Sequence, residues 1–339
     1  MKRTIYFKNH PKIIATSSIA GPKESNGSIN KYFEVKLNDD MFGEDTYEKA
    51  ETKMLYTVIK NAIKNANTTE ENIDCIIAGD LLNQIISSTF SARKFKCGYL
   101  GVYNACATFS ESLIVGASLV DGGYMNSVVC CSSSHFSSAE RQYRYPLELG
   151  NTRPPQSQWT ITGAGASLIS SNGKGPMITA GTIGRVVDFG ITDANNMGAA
   201  MAPAACDTLF THFKETGLTP DYYDLIITGD LGTLGSRIFK DLIWEKGYDI
   251  EKQHVDCGEL VYNICEQEYQ GGSGAGCSAL VFNSYVYNKL NKGLYKKVLL
   301  IATGALLSTV STQQGESIPA IAHAVVIEGN IWWIFCWCI

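Results

Sequence analysis

Eleven cysteines in 339 residues form no CxxC pair and no Cys/His cluster at zinc-ligand spacing. That removes zinc ribbons and thioredoxin-like redox motifs. No basic stripe marks a nucleic-acid surface and no acidic tail is present, with a net charge of −5 and both signs interspersed. Histidine, the usual general base, occurs five times. Neither GGSGAGC nor GAGAS carries the Lys-Ser/Thr or trailing acid of a phosphate or dinucleotide loop, so both read as close-packing glycines. No cofactor and no metal site is expected. MKRTIYFKNHPKI at the start lacks the apolar core of a signal peptide. The expectation is a reduced, intracellular chain with mostly buried thiols.

The 45% hydrophobic and 18% charged composition suits a soluble protein with a sizeable core. The last stretch, IWWIFCWCI (331–339), is nine apolar residues, roughly half of the ~20 that span a bilayer. Interfacial contact through its tryptophans, burial against the body, and a translation accident all remain open for it.

An internal repeat organises the rest. IDCIIAGDLL (73–82) returns as YDLIITGDLG (223–232), VDGGYMNSVVCCSSS (120–134) as NKGLYKKVLLIATGA (291–305), and TGAGASLISS (162–171) as AIAHAVVIEG (320–329). A spacing of about 150 to 170 residues is a duplicated domain, far above the ~20–50 of a solenoid. Helical patterns at 46–67, 108–121, 203–217 and 278–293 alternate with aliphatic strands, which predicts mostly parallel sheets faced by helices. Cys130 and Cys131 fall on opposite faces of one strand. Ser112, Gly116 and Ala117 give the 108–121 helix a small-residue face that lets backbones approach. The boundary is placed near Asn172–Pro176, giving an N-terminal half over 1–173, a C-terminal half over 174–330 and the tail. Asp80 and Asp230, at equivalent Gly-Asp-Leu positions, read as caps for the helices that follow.

In YNACATFSESL (103–113), Cys106 stands between small residues at the start of a helix. A duplicated α/β half with such a cysteine resembles the thiolase and ketoacyl-synthase superfamily. That resemblance implies a five-layered αβαβα fold in which the cysteine is acylated by a thioester, its thiolate favoured by the helix dipole. The chain resembles one branch more closely, the stage V sporulation protein AD family. The matching runs are AGPKE (20–24), AGDLLNQ (78–84), VDGGY (120–124), SSSH (132–135), AERQYRYP (139–146), DFGITD (188–193), MAPAA (201–205), TGDLG (228–232), GGSGAGCSA (271–279), ATGALLS (302–308) and ESIPAIAH (316–323). They span nearly the whole chain and leave 331–339 outside.

The resemblance implies the soluble, dipicolinate-binding component of a complex that moves dipicolinic acid, chelated with calcium, into the developing spore. Other membrane proteins of that complex would be its partners, the spore inner membrane its peripheral location, and a homodimer its state. Thr228, Gly229 and Asp230 occupy the region where condensing enzymes carry a histidine, and Gly271–Gly274 the region of a second polar group. Without a base, catalysis at Cys106 lacks its activator. The expectation is a binding protein, with an acyltransferase using Cys106 as the alternative. A flat ring with two carboxylates calls for arginine forks or lysines. Lys23, Arg141, Arg144 and Arg185 are the candidates, with Arg141 and Lys23 preferred, beside Cys106 on the floor and His135 at the end of its strand. The competing reading pairs these arginines with acids such as Glu140 and Glu148.

Overall fold

Each repeat unit folds into a sheet of five principal strands, the two sheets share one order, and a short edge strand joins each, Val35–Lys36 the first and Thr4–Tyr6 the second. The computed structural model describes residues 2–144, 147–150, 152–262 and 269–329; the apolar tail 331–339 lies outside them. The first half holds β1 (Lys12–Ala20), β2 (Cys75–Gly79), β3 (Gly98–Gly101), β4 (Ser127–Ser134) and β5 (Gly163–Ser170). The second holds β6 (Met177–Thr182), β7 (Leu225–Gly229), β8 (His254–Asp256), β9 (Lys297–Ala305) and β10 (Ala320–Glu328). Spatial order is 1-5-4-2-3 in one and 6-10-9-7-8 in the other, so every strand has a counterpart five numbers on. The sheets meet through one residue pair, Lys12 with Met177.

The parallel expectation holds for four strands of each sheet and fails for the fifth. β5 runs antiparallel to both β1 and β4, and β10 antiparallel to β9 and β6. β5 follows from β4 through a helix over Phe136–Tyr143 and a loop rather than a right-handed crossover, and antiparallel neighbours do not require such a crossover.

Helix α1 (Tyr47–Asn65) starts where Thr46 accepts from the Lys49 amide and buries Ala50, Met54, Leu55, Val58, Ile59 and Ala62 on β1, β4 and β5. Its counterpart α5 (Met197–Thr216) covers β9 and β10, with α6 (Gly232–Glu245) beside it. Between the sheets lie α3 (Thr108–Asp121) and the helix that begins at Ala275, packed on each other with Phe109 and Phe282 at 5.7 Å. α3 touches β2, β4 and β5 of its own half and β9 and β10 of the other. The result is the five-layered αβαβα arrangement. The small face of α3 is what permits it: a Cβ on Gly116 would stand 2.4 Å from Cys130 Sγ. Cys130 packs into the central core and Cys131 into the core under α1, as strand alternation requires. Among the described residues no helix is long and apolar enough to cross a membrane.

Candidate functional site

The loop from β3 into α3 carries Cys106 against the centre of the molecule. Ala105 adopts φ 49°, a left-handed conformation that costs an alanine energy and turns the chain sharply ahead of the cysteine. The side chain of Asn104 meets His323 Nε2 at 3.2 Å, and the Thr108 hydroxyl donates to the Ala105 carbonyl at 2.6 Å. The turn is thereby tied to β10 and to its own helix. Cys106 is 5% exposed. It lines a cavity of about 30 Å³ with Leu81, Tyr103, Ala139, Tyr143, Arg144 and Met197. That is room for a water or two. Tyr103 and Tyr143 join their hydroxyls at 3.0 Å over it, and Tyr143 donates to the Leu81 carbonyl.

The group facing Cys106 is a carboxyl. Asp230, fully buried and with φ 78°, accepts the Gly274 amide on Oδ2 at 2.7 Å. Burial first, then the Asp230 carboxyl, pushes the Cys106 thiol well above its ordinary range. Burial, then Asp256, pushes Asp230 up in turn. A buried thiol raised by a neighbouring carboxyl is the opposite of an activated thiolate. Asp230 does not cap α6. Asp256 does that work, accepting Leu231 N at 2.9 Å, Gly232 N at 3.0 Å and the Thr228 hydroxyl at 2.7 Å. Asp80 behaves as the sequence suggests: it accepts Leu82 N at 2.9 Å and, at the start of α2 (Ile86–Ala92), Ser88 N at 2.7 Å.

Of the candidate residues, the structure brings together Cys106 and Arg144. Arg141 lies on the outer face of α4 (Phe136–Tyr143), bonded to Glu48 at 2.7 Å with its side chain 39% exposed. A helix places residues three apart on neighbouring but distinct directions, and Arg144, just past the helix end, turns inward. Arg185 is exposed and pairs with Asp207 at 2.8 Å. His135 is fully buried as the N-cap of α4: Nδ1 accepts Ser137 N at 3.1 Å, which leaves the proton on Nε2 to donate to the Asp40 carbonyl at 2.8 Å. Burial holds it below the usual imidazole range, so the neutral ring spends both nitrogens on structure. Lys23 does not reach the cavity wall; its ammonium sits 4.3 Å from the Trp159 ring centroid.

Arg144 belongs to a buried charge cluster that pattern reading divided between surface pairs. Glu140 bonds Arg144 and also Arg153, the latter at 3.1 Å, with side-chain exposures of 7%, 6% and 17% respectively. Arg153 was missed as a candidate. The available signal was a basic residue beside two prolines and close to Trp159, in TRPPQSQW (152–159). Arg144 Nε and Arg153 Nε are buried and lack hydrogen-bond partners among the described residues; such a donor left unmade costs about 1–3 kcal/mol. Among the described residues no group of three or more His, Cys, Asp or Glu is placed to hold a metal ion.

Several solved structures share this fold. The 3-oxoacyl-[acyl-carrier-protein] synthase III of Aquifex aeolicus aligns over 94% of this chain and 99% of its own, at 16% identity and a TM-score of 0.54. An OleA variant of Xanthomonas campestris aligns over 96% and 99%, at 13% identity and 0.59. A tetronic acid condensing enzyme aligns over 94% and 100%, at 14% identity and 0.61. These likenesses show a thiolase-like fold. In sequence, the stage V sporulation protein AD of Bacillus subtilis (strain 168) is 42% identical over 327 residues, 96% of this chain and 97% of that protein. The family described as stage V sporulation protein AD (SpoVAD) matches residues 1–328. With one half of the duplication on each side of a buried cysteine, and both halves inside the match, the chain belongs to the stage V sporulation protein AD family.

Proposed function

We propose that this protein binds dipicolinic acid, alone or with calcium, for uptake into the developing spore, and that it does so without acyl transfer. The reading places it at the spore inner membrane as a peripheral partner of the complex's membrane proteins. It also takes the protein as a homodimer, for which the outer side of β3, unpaired among the described residues, supplies an edge.

The observation that carries this reading is the pairing at the cavity: Cys106 faces Asp230, and the cation on the wall is Arg144. Condensation or thiolysis needs a thiolate and a base. Here burial and a carboxyl hold the thiol protonated, and the Gly274 amide is taken up by Asp230. A guanidinium instead offers planar, charge-assisted donors that match a carboxylate. The Cys106 cavity alone is too small for a ring with two carboxylates, so the ligand extends into the larger cavity that Arg144 also lines.

The test is calorimetric titration of the purified protein with dipicolinate, with and without calcium. In parallel, intact-mass spectrometry after incubation with acyl-coenzyme A asks whether Cys106 is acylated. Saturable dipicolinate binding without acylation is expected. Acylation and turnover that vanish in Cys106→Ser would establish the acyltransferase alternative, which the fold of the condensing enzymes favours.

A further inference from the structure

Arg144 also borders a second, larger cavity of about 330 Å³, against about 30 Å³ beside Cys106. Arg144 lines both spaces, and Arg153, Glu140, Phe136, Trp159 and Leu147 line the larger one. Among the described residues two guanidiniums here share one carboxylate, which leaves the buried cluster one negative charge short. Buried charges are ordinarily paired.

Each terminal nitrogen of both arginines makes one contact, which leaves it a second N–H. Arg144 gives Nη1 to Glu140 and Nη2 to Met197 Sδ at 3.7 Å. Arg153 gives Nη1 to Glu140 at 3.1 Å and Nη2 to the Gln158 carbonyl. The Nε–H of each remains unpartnered among the described residues. Phe136 and Trp159 stack at 4.0 Å and 7°, and the Arg153 guanidinium lies 5.1 Å from the indole centroid and 5.6 Å from the phenyl centroid. Those rings fix the plane of the fork.

Resting on the dicarboxylate reading above, we infer that Arg153 receives the second carboxylate of the ligand, with Arg144 at the first. Arg153 is therefore the residue that selects a dicarboxylate over a monocarboxylate. The ligand supplies the negative charge that the described residues lack, and its oxygens meet the remaining N–H donors of the two guanidiniums. A ring lies in the chamber along Leu147 and Pro154.

The test compares three probes on the unmodified protein and on Arg153→Gln: dipicolinate, picolinate (one carboxylate), and isophthalate (the same carboxylate spacing without the ring nitrogen). On the unmodified protein, dipicolinate and isophthalate should bind at least about tenfold more tightly than picolinate, the loss expected for one charge-assisted hydrogen bond. Equal affinities for dipicolinate and picolinate overturn the inference whatever the variant does. Arg153→Gln should reduce dipicolinate affinity to that of picolinate and leave picolinate unchanged. An equal loss of both probes would mean that Arg153 only supports the wall, and unchanged dipicolinate binding would mean that it meets no ligand; either result overturns the inference while the dipicolinate reading stands. If the unmodified protein binds none of the three, that reading falls and takes this inference with it.

Discussion

Arg141 and Arg144 sit three residues apart in one motif, and the structure gives them opposite fates, so their replacement by glutamine is a sharp contrast. Arg144 is 6% exposed in its side chain and stands on the wall of the Cys106 cavity. Losing one charge-assisted hydrogen bond to a carboxylate costs about 1.5–3 kcal/mol, or roughly 10- to 150-fold in affinity. Arg144→Gln should therefore weaken dipicolinate binding by at least about tenfold in calorimetric titration. Stability should suffer less than the roughly 3–5 kcal/mol of an uncompensated buried charge, because Glu140 keeps Arg153 at 3.1 Å. Arg141 and Glu48 are both about 40% exposed, and such a pair is worth below about 1 kcal/mol. Arg141→Gln should leave both dipicolinate affinity and the thermal midpoint nearly unchanged. If Arg144→Gln binds like the parent while Arg141→Gln loses tenfold, the ligand docks on the outer face of α4 and the cleft assignment is wrong.

Three further outcomes are open to measurement. Each unit by which a thiol is raised lowers its thiolate fraction tenfold, so Cys106 in the folded protein should alkylate with iodoacetamide at pH 8 at least about tenfold more slowly than free cysteine. Asp230→Asn, which removes a cause of that rise, should speed the reaction; peptide mass spectrometry reads both rates, and a Cys106 as reactive as free cysteine refutes the account. Glu51 is pushed from 4.5 to about 8, by burial first and then by Asp80, so the folded state holds its proton more tightly than the unfolded chain. Its contribution is full below about pH 4.5 and is lost as pH rises through about 8; Glu51→Gln should gain in melting temperature relative to the parent at pH 9 compared with pH 6, and a gain confined to pH 6 would reverse the sign of the argument. His135→Ala should destabilise the fold by about 1–3 kcal/mol, because the Asp40 carbonyl and the Ser137 amide lose their partner. Its dipicolinate affinity should not change; a selective loss of binding in a stably folded variant would return His135 to the site.

Much of the architecture was written in residue order. The repeated aliphatic strands with Gly-Asp-Leu ends, the 3.6-residue spacing of Ala50, Met54 and Val58, and the small face of α3 each arise from local side-chain chemistry, and all three were realised. Strand direction was less legible. Nothing in GAGASLIS distinguishes a parallel from an antiparallel strand, because a strand buried on both faces shows the same apolar run in either direction.

The site divided along the same line. Sequence alone determined that Cys106 begins a buried helix and that Asp230 stands where a condensing enzyme would keep a base. It also marked AERQYRYP as the basic motif near the cleft. Tertiary structure decided which arginine of that motif turns inward, that His135 spends both nitrogens on a cap, and that Arg153 joins from a loop near Trp159. It also separated two aspartates that the repeat presents as equals. Asp80 keeps the amides of its own turn, whereas Asp256, arriving from a different strand, takes amides of the corresponding turn in the second half and leaves Asp230 to face Cys106. A hydrogen-bond donor goes to the acceptor nearest in space, and which acceptor that is depends on contacts 24 or more residues apart in the chain.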